Sequence, residues 1–473
     1  MVNRPVSKTL FAILIVAAPV VTGLVMGWLF SLDGTLGLYQ WMPEYRSIFI
    51  AVGVLGISAP LLTLVALVAH RARRLLGILA VVFALLGVLA PLALVGYFLP
   101  NSFKLAPSTP PLLLVTDGAG VNGVPNLALV FRTAQETQNT LYYGEEALSQ
   151  QVAEPRAVRE HLLPLKNLKP GTRYQWRLND GATCTFATPA VQASSDPLYH
   201  LAVGGDSHFG DSLSASASGD PTIVPSIFKF VAEPLNQFNA FFVVGDSVNM
   251  GATLEDWQIA LEKFAPFTCS VPLRPLMGNH DAIINGTPQY LAYFYPQGMA
   301  TPIGTRDYYR IDAGRVHLIL LKMLWGVESF SAEQRAWFVT QLEAIPADEW
   351  TVVLMHSMVY SSGSVVDGAA WYDPIEMVQQ VAPLLEKYKV DLVISGHNHD
   401  LEFLQKNGVS YAVVGGLGGA LDPVASHISP ASVWYAPGQY GFLDVTILYD
   451  TIELSFRDPT GNELKSLSIG KNQ

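Results

Sequence analysis

Five short polar clusters in the C-terminal half of the chain each follow an apolar run. Leu201 to Val203 leads into Gly204, Gly205, Asp206, Ser207 and His208. Ala240 to Val244 leads into Gly245, Asp246 and, three residues on, Asn249. Leu273 to Met277 leads into Gly278, Asn279, His280 and Asp281, and Thr351 to Met355 leads into His356. Leu392 to Ser395 leads into Gly396, His397, Asn398, His399 and Asp400. Five of the ten histidines fall in these clusters, and no cysteine does. Imidazole and carboxylate donors without thiolate suit zinc, manganese or iron. The donors exceed the needs of one ion, so two are expected. Two ions roughly 3.5–4 Å apart can clamp a phosphoryl group and produce a hydroxide nucleophile near neutral pH.

The elements that must position these residues alternate between strand and helix. Ligands in α/β sheets gather beyond the carboxyl ends of strands, and five such ends are available here. Glycines beside the polar residues let the backbone turn sharply. Ser331 to Gln334 fits a capping box ahead of Trp337, Phe338 and Leu342 at helical spacing. Met377, Val378, Val381, Leu384 and Leu385 repeat with the same period and read as core. Tyr360 and Ser361 are pocket-lining candidates of lower specificity. Gly415 to Gly419 leads to Asp422 and Pro423 rather than to a helix, so it reads as a turn near the site and not as a nucleotide loop. His161, His200, His317 and His427 match no cluster.

The ordered set D-x-H, G-D, G-N-H-D, H and G-H-x-H resembles the calcineurin-like metallophosphoesterase superfamily over about residues 197–460. The resemblance implies that Asp206, His208 and His399 bind one metal and that Asn279, His356 and His397 bind a second. It implies that Asp246 bridges the two, since a carboxylate has two oxygens to share. His280 then protonates the leaving alkoxide, with Asp281 orienting or tuning it, and Asn249 either contacts substrate or caps a turn. Within the superfamily the chain is most similar to the purple acid phosphatase branch, through Val353 to His356, Tyr360 to Ser362 and Tyr411 to Gly419. Two positions depart from that branch. His208 stands in the first motif, and Asn249 stands where the branch has its metal-bound tyrosine. The departures imply a divalent pair of manganese, zinc or iron in place of the purple ferric site.

The rest of the chain says where this chemistry operates. Half of the 473 residues are hydrophobic, 14% are charged and the mean hydropathy is +0.30, against about 25% charged in an average soluble protein. The imbalance is local. Six basic and two acidic residues give the first hundred a charge of +4, so the chain total of −11 leaves −15 on the remaining 373. An acidic body argues against a nucleic-acid partner. Thr9 to Leu32, Ser47 to Ala69 and Leu75 to Leu99 are free of Asp, Glu, Lys and Arg, and about 20 apolar residues span a bilayer core as a helix. The first run is too long for a usual signal-peptide core and has no small-x-small cleavage site. Arg4 and Lys8 precede it, and His70, Arg71, Arg73 and Arg74 fill the connection between the second and third runs. Under the positive-inside rule these sides face the cytoplasm, which puts everything after Leu99 outside. No Asp, Glu, Lys, Arg or His lies within a run, so anchoring is preferred to transport.

Between anchor and clusters, Asn101 to Pro111 reads as a linker. Leu112–Val115, Leu127–Phe131, Thr140–Tyr143 and Tyr174–Leu178 read as strands of a small β-sandwich. Leu168 to Leu178 resembles the tyrosine corner of fibronectin type III domains, with Tyr174 bonding back to nearby backbone and Trp176 facing the core. Cys184 and Cys269 fall in different expected domains. An external location permits a disulfide, and two buried thiols fit as well.

The expected fold is α/β, a metallophosphoesterase β-sandwich flanked by helices (193–473), preceded by an all-β fibronectin III-like domain (101–192) and three transmembrane helices (1–100). The expected function is hydrolysis of phosphate esters outside the cytoplasm by a metal-bound hydroxide, with the lipid bilayer and a phosphate-ester substrate as partners. The competing reading is an inactive surface-binding or signalling protein that keeps the metal fold.

Overall fold

The structure is a computed structural model that describes residues 8–69, 71–102, 104–116, 118–191, 197–210, 219–296, 298–299, 305–366 and 368–471. Arg4 and His70, used above for orientation, lie outside the described residues. The chain divides into two compact units, 1–104 with 283–286 and 105–282 with 287–473.

The first unit is helical: α1 (Lys8–Phe30), α2 (Thr35–Trp41), α3 (Pro43–Val68) and α4 (Arg73–Ser102). Three stretches, Ala12–Phe30, Tyr45–Val68 and Arg73–Leu99, are long and apolar enough to cross a membrane. The short α2 in the first connection was not expected. Pro19 and Pro60 sit inside α1 and α3, as helices in lipid tolerate. Small residues let the three long helices approach closely, as they do between helices that cross a membrane. Ala18, Ala59 and Ala84 are fully buried together, and Thr22 Oγ1 donates to the Gly87 carbonyl at 3.0 Å. A Cβ on Gly87 would meet Leu55 O at 2.9 Å and Ala18 Cβ at 3.0 Å. Gly87→Leu is therefore expected to destabilise this bundle by about 1–3 kcal/mol, the usual cost of overpacking. The check is the thermal denaturation temperature in detergent, and an unchanged temperature would show that the close approach carries no stability.

The second unit begins with β1 (Leu112–Val115), β2 (Gly118–Ala119), β3 (Leu127–Thr137), β4 (Thr140–Gly144), β5 (Gln150–Ala153), β6 (Val158–Leu165), β7 (Arg173–Leu178) and β8 (Cys184–Ala187). It continues with β9 (Tyr199–Gly204), α5 (Ile223–Ala232), β10 (Ala240–Val243), α6 (Leu254–Thr268), β11 (Leu273–Pro275), α7 (Asn279–Ala282) and α8 (Thr287–Phe294). Next come β12 (Tyr309–Ala313), β13 (Val316–Leu320), α9 (Ala332–Ala344), β14 (Trp350–Leu354), β15 (Val365–Val366), β16 (Ala369–Ala370), α10 (Ile375–Gln380) and α11 (Ala382–Lys387). The last strands are β17 (Leu392–Ser395), β18 (Leu401–Lys406), β19 (Val409–Val414), β20 (Ser432–Ala436), β21 (Phe442–Ile447), β22 (Thr451–Arg457) and β23 (Glu463–Gly470).

Among the described residues, one sheet runs β23-β22-β21-β9-β10-β11-β1-β3-β6 and another β2-β12-β13-β14-β17-β19-β18-β20. Within them β9, β10 and β11 are parallel, as are β13, β14, β17 and β19. Parallel strands covered on both faces read as unbroken hydrophobic runs. Phe241 to Val244, Val352 to Leu354 and Leu392 to Ile394 are accordingly all at most 1% exposed. The five cluster-bearing strand ends therefore come from two sheets, three from one and two from the other. Ser331 caps α9 by accepting from the Gln334 amide at 3.1 Å. The single repeat expected over Met377–Leu385 is two short helices, because Pro383 has no amide to donate and its ring would meet the preceding turn.

The middle strands form two layers. β1, β3 and β6 make one, and a separate sheet β5-β4-β7-β8 makes the other. The first layer continues the large sheet, since β1 pairs in parallel with β11 at Leu114 and Leu273. Tyr174 is fully buried and its hydroxyl accepts the Lys169 amide at 3.0 Å. Cys184 on β8 and Cys269 after α6 form a disulfide across a sequence separation of 85, and the Thr185 amide donates to the Cys269 carbonyl at 3.0 Å. The pairing left open by the sequence is thereby made.

Candidate metal centre

Asp206 and His208 follow β9, Asp246 follows β10, Asn279 and His280 follow β11, His356 follows β14, and His397 and His399 follow β17. The structure brings all eight together. Three groups of donor atoms, each within 4.8 Å of one another, are Asp206–His208–His399, His208–Asp246–His280 and Asp246–His356–His397. His208 Nε2 and His399 Nε2 are 3.1 Å apart. His356 Nε2 and His397 Nδ1 both lie on Asn279 Oδ1, at 2.7 and 3.0 Å. Asp246 Oδ2 faces both sides, 3.7 Å from His208 Nε2 and 3.2 Å from His356 Nε2. Asp206, His208, Asp246, Asn279 and His356 are each at most 3% exposed.

The local backbone is strained where it carries donors. Asp206, His208, Asp246 and His397 have φ of 67°, 44°, 50° and 73°, the left-handed region that costs a non-glycine residue of order 1–3 kcal/mol. Gly245, at φ 96°, permits the turn into Asp246, and a Cβ there would collide with His356 Nδ1. Gly278 lies so close to Asp246 Oδ1 that no side chain fits.

Second hydrogen bonds orient the rings. His356 Nδ1 donates to Val244 O at 2.8 Å, His399 Nδ1 to Ala420 O at 2.5 Å and His280 Nδ1 to Asn249 O at 2.7 Å. A carbonyl can only accept, so Nδ1 is the donor in each of these bonds and Nε2 is the nitrogen turned to the site. The Asp422 carboxylate accepts the His399 amide at 2.8 Å. The Gly415–Gly419 turn passes behind the site, with the Gly419 amide on Asp206 O at 2.8 Å.

Electrostatics point the same way. Burial opposes ionisation of Asp206 and Asp246, but the surrounding histidines outweigh it and hold both well below the usual carboxylate range. Burial also opposes charge on His356 and His399; the two aspartates overcome it for His356, raised to about 9, and Asp206 chiefly does so for His399, raised to about 10. For His208 and His397 burial prevails, assisted by neighbouring histidines, and they fall to about 4 and 3. The donors thus call for positive charge at their centre. Asp206 Oδ1 is buried with no hydrogen-bond partner, and two imidazole nitrogens face each other at 3.1 Å. These are the marks of a donor set fitted to cations, and nitrogen and oxygen donors suit divalent zinc, manganese or iron.

Two further candidates, Asp281 and Asn249, adjoin His280. Asp281 is fully buried, and its carboxylate accepts the Gly278 and Val248 amides at 2.9 and 3.2 Å. The bond that orients the His280 ring comes from Asn249 O instead. Asn249 is fully buried, with its amide on Gly210 O at 2.8 Å. Tyr360 packs on Tyr411 at 5.1 Å, and Ser361 Oγ accepts from Asn398 at 2.9 Å. The four unmatched histidines lie on carboxylates: His161 on Glu154, His200 on Asp444, His317 on Asp312 and His427 on Asp373. Trp325 and Trp371, beside His397 at 5.9 and 5.1 Å between ring centroids, had no signal in the motifs.

The ends of strands from two sheets thus carry a buried His/Asp/Asn donor set. Residues 199–401 match the family model for calcineurin-like phosphoesterase. It is 27% identical over 280 residues to an uncharacterized protein of Mycobacterium tuberculosis, covering 52% of this chain and 50% of that protein. It is 23% identical over 294 residues to purple acid phosphatase 1 of Ipomoea batatas, covering 59% and 58%. Over 129 residues it is 33% identical to tartrate-resistant acid phosphatase type 5 of Homo sapiens, covering 27% and 37%. The chain thus spans about half the length of the first two relatives. In fold it is similar to the purple acid phosphatase PPD1 of yellow lupin (Lupinus luteus), with a TM-score of 0.61 at 18% identity over 77% of this chain and 74% of that one.

Proposed function

We propose that this protein is a membrane-anchored phosphoesterase with two divalent metals, hydrolysing phosphate esters outside the cytoplasm. The observation that carries the reading is Asp246 Oδ2, buried and facing donors on both sides. Asp206, His208 and His399 would hold one ion and Asn279, His356 and His397 the other, with Asp246 shared. Bound there, the ions would supply Lewis acidity and an activated water. His280, its Nδ1 committed to Asn249 O, presents Nε2 to protonate the leaving oxygen. Asp281 and Asn249 position that ring through the backbone: Asp281 clamps the loop ends at Gly278 and Val248, and Asn249 accepts from the ring itself.

The middle segment is proposed as a fibronectin III-like sandwich. Its three-plus-four strand layers, the buried Tyr174 corner and a fold likeness longer than the phosphoesterase match support this. The external location is supported by the Cys184–Cys269 disulfide, since such bonds persist in oxidising compartments, and by the loop charges. The inactive-protein reading gains nothing from the site, where every donor position of the motif set is filled.

The test is hydrolysis of an aryl phosphate monoester and a diester by the full chain in detergent, loaded in turn with manganese, zinc and iron. Chelation is expected to abolish turnover and metal return to restore it. Absence of metal-dependent hydrolysis on both substrates would overturn the reading.

A further inference from the structure

Two tryptophans flank His397 and neither belongs to the donor set. Trp325 meets the His397 ring edge to face, centroids 5.9 Å apart and planes at 89°, while Trp371 lies at 5.1 Å and 32°. Each is tied to a residue adjoining a donor histidine. Ser357, next to His356, donates from Oγ to the Trp325 carbonyl at 3.2 Å. Asn398, between His397 and His399, donates from Nδ2 to the Trp371 carbonyl at 3.0 Å. The Trp325 amide is held in turn by Glu328 Oε1 at 2.8 Å. Both tryptophans are thus tied through their backbone to residues that adjoin the candidate donor histidines.

Trp325 is 7% exposed, and its Nε1 is buried without a hydrogen-bond partner. A buried donor left unpaired is costly, and a phenylalanine would fill similar space without that cost. The donor is therefore suited to an acceptor that arrives with a ligand. Trp371 is only half-buried and ends the β15–β16 hairpin, whose Val365 and Val366 are 57% and 45% exposed. An indole that keeps surface open beside a metal centre offers a large flat face for stacking.

We propose that Trp325 and Trp371 form a substrate subsite beside His397 for phosphate esters that carry a flat aromatic group. Trp371 stacks on the aromatic ring, and Trp325 Nε1–H donates to a phosphoryl oxygen. The inference rests on the phosphoesterase reading and names the substrate class of that site.

Phenylphosphonate and methylphosphonate, neither of which is hydrolysed, provide the probes, with calorimetric binding to the metal-loaded full chain in detergent as the readout. The wild type is expected to prefer phenylphosphonate. Trp371→Ala should reduce that preference about tenfold, and Trp371→Tyr, which keeps a stacking face, should retain most of it. Trp325→Phe should weaken both probes about tenfold while elemental analysis still finds the wild-type metal content. Trp371→Ala weakening both probes equally, or Trp325→Phe binding them as the wild type does, would overturn the subsite. A wild type that shows the phenyl preference yet hydrolyses no ester keeps the subsite and overturns the phosphoesterase reading. Hydrolysis without any phenyl preference does the reverse.

Discussion

Asp246→Asn is expected to lower turnover at least about a thousandfold and to reduce bound metal from two ions per chain to at most one. Bound metal supplies several kcal/mol of transition-state stabilisation, and each 1.36 kcal/mol is tenfold in rate, so losing about 4 kcal/mol gives that factor. Asparagine matches aspartate in shape. Its carbonyl could still accept the His280 amide, which Asp246 Oδ1 now takes at 2.8 Å. Its amide nitrogen would then stand where Asp246 Oδ2 lies, 3.2 Å from His356 Nε2 and 3.7 Å from His208 Nε2. A donor replaces an acceptor at the point the two ions of the proposed centre would share, and the negative charge is gone. The change should therefore act through metal, not folding. Elemental analysis beside aryl phosphate turnover decides it. A variant that keeps two ions and activity within tenfold of wild type would remove Asp246 from the bridging role.

Replacing Cys184 and Cys269 by serine is expected to destabilise the second unit by about 2–5 kcal/mol. The chain-entropy account gives roughly 4–5 kcal/mol for closing a loop of this separation, and measured effects of such bonds run lower, typically about 2–4 kcal/mol. The bond joins β8 to the end of α6. It works in parallel with the β1–β11 pairing, so the two regions stay attached without it. The denaturation midpoint should fall by a few degrees, since roughly 1–2 °C per kcal/mol applies to a unit of this size. The same residues report on compartment. Thiol labelling of the native protein in its own membrane should find both cysteines blocked until reductant is added. Free thiols in the native state would contradict the disulfide and the external placement together.

The donor set was legible because its chemistry is local. Each cluster joins an apolar run, a glycine and a His, Asp or Asn within a few residues, and the order of the five clusters carried the assignment. The glycines were legible for the same reason, since Gly245 and Gly278 stand immediately before Asp246 and Asn279. The three long apolar helices were legible because their length and lack of charge are properties of contiguous sequence. Ser331 and Gln334 announced their cap in four residues. The helix expected over Met377–Leu385 broke because Pro383 overrode a sound periodicity.

What needed the folded chain was everything that joins distant segments. Cys184 meets Cys269 across 85 residues, and Leu114 pairs with Leu273; no local pattern encodes either. Tyr174 announced its bond back to nearby backbone, but the continuity of β1, β3 and β6 with the nine-stranded sheet was invisible. His280 was identified from its motif, yet its orienting partner proved to be the carbonyl of Asn249, an atom every residue possesses. Trp325 and Trp371 had no periodic or motif signal because their importance comes from lying beside His397. Residue type and short spacing therefore marked which groups gather at one site and which segments are apolar enough to cross a bilayer. Side-chain surroundings, strand partners and the cysteine bond were settled by packing, because they depend on which loops close on one another rather than on any local run of residues.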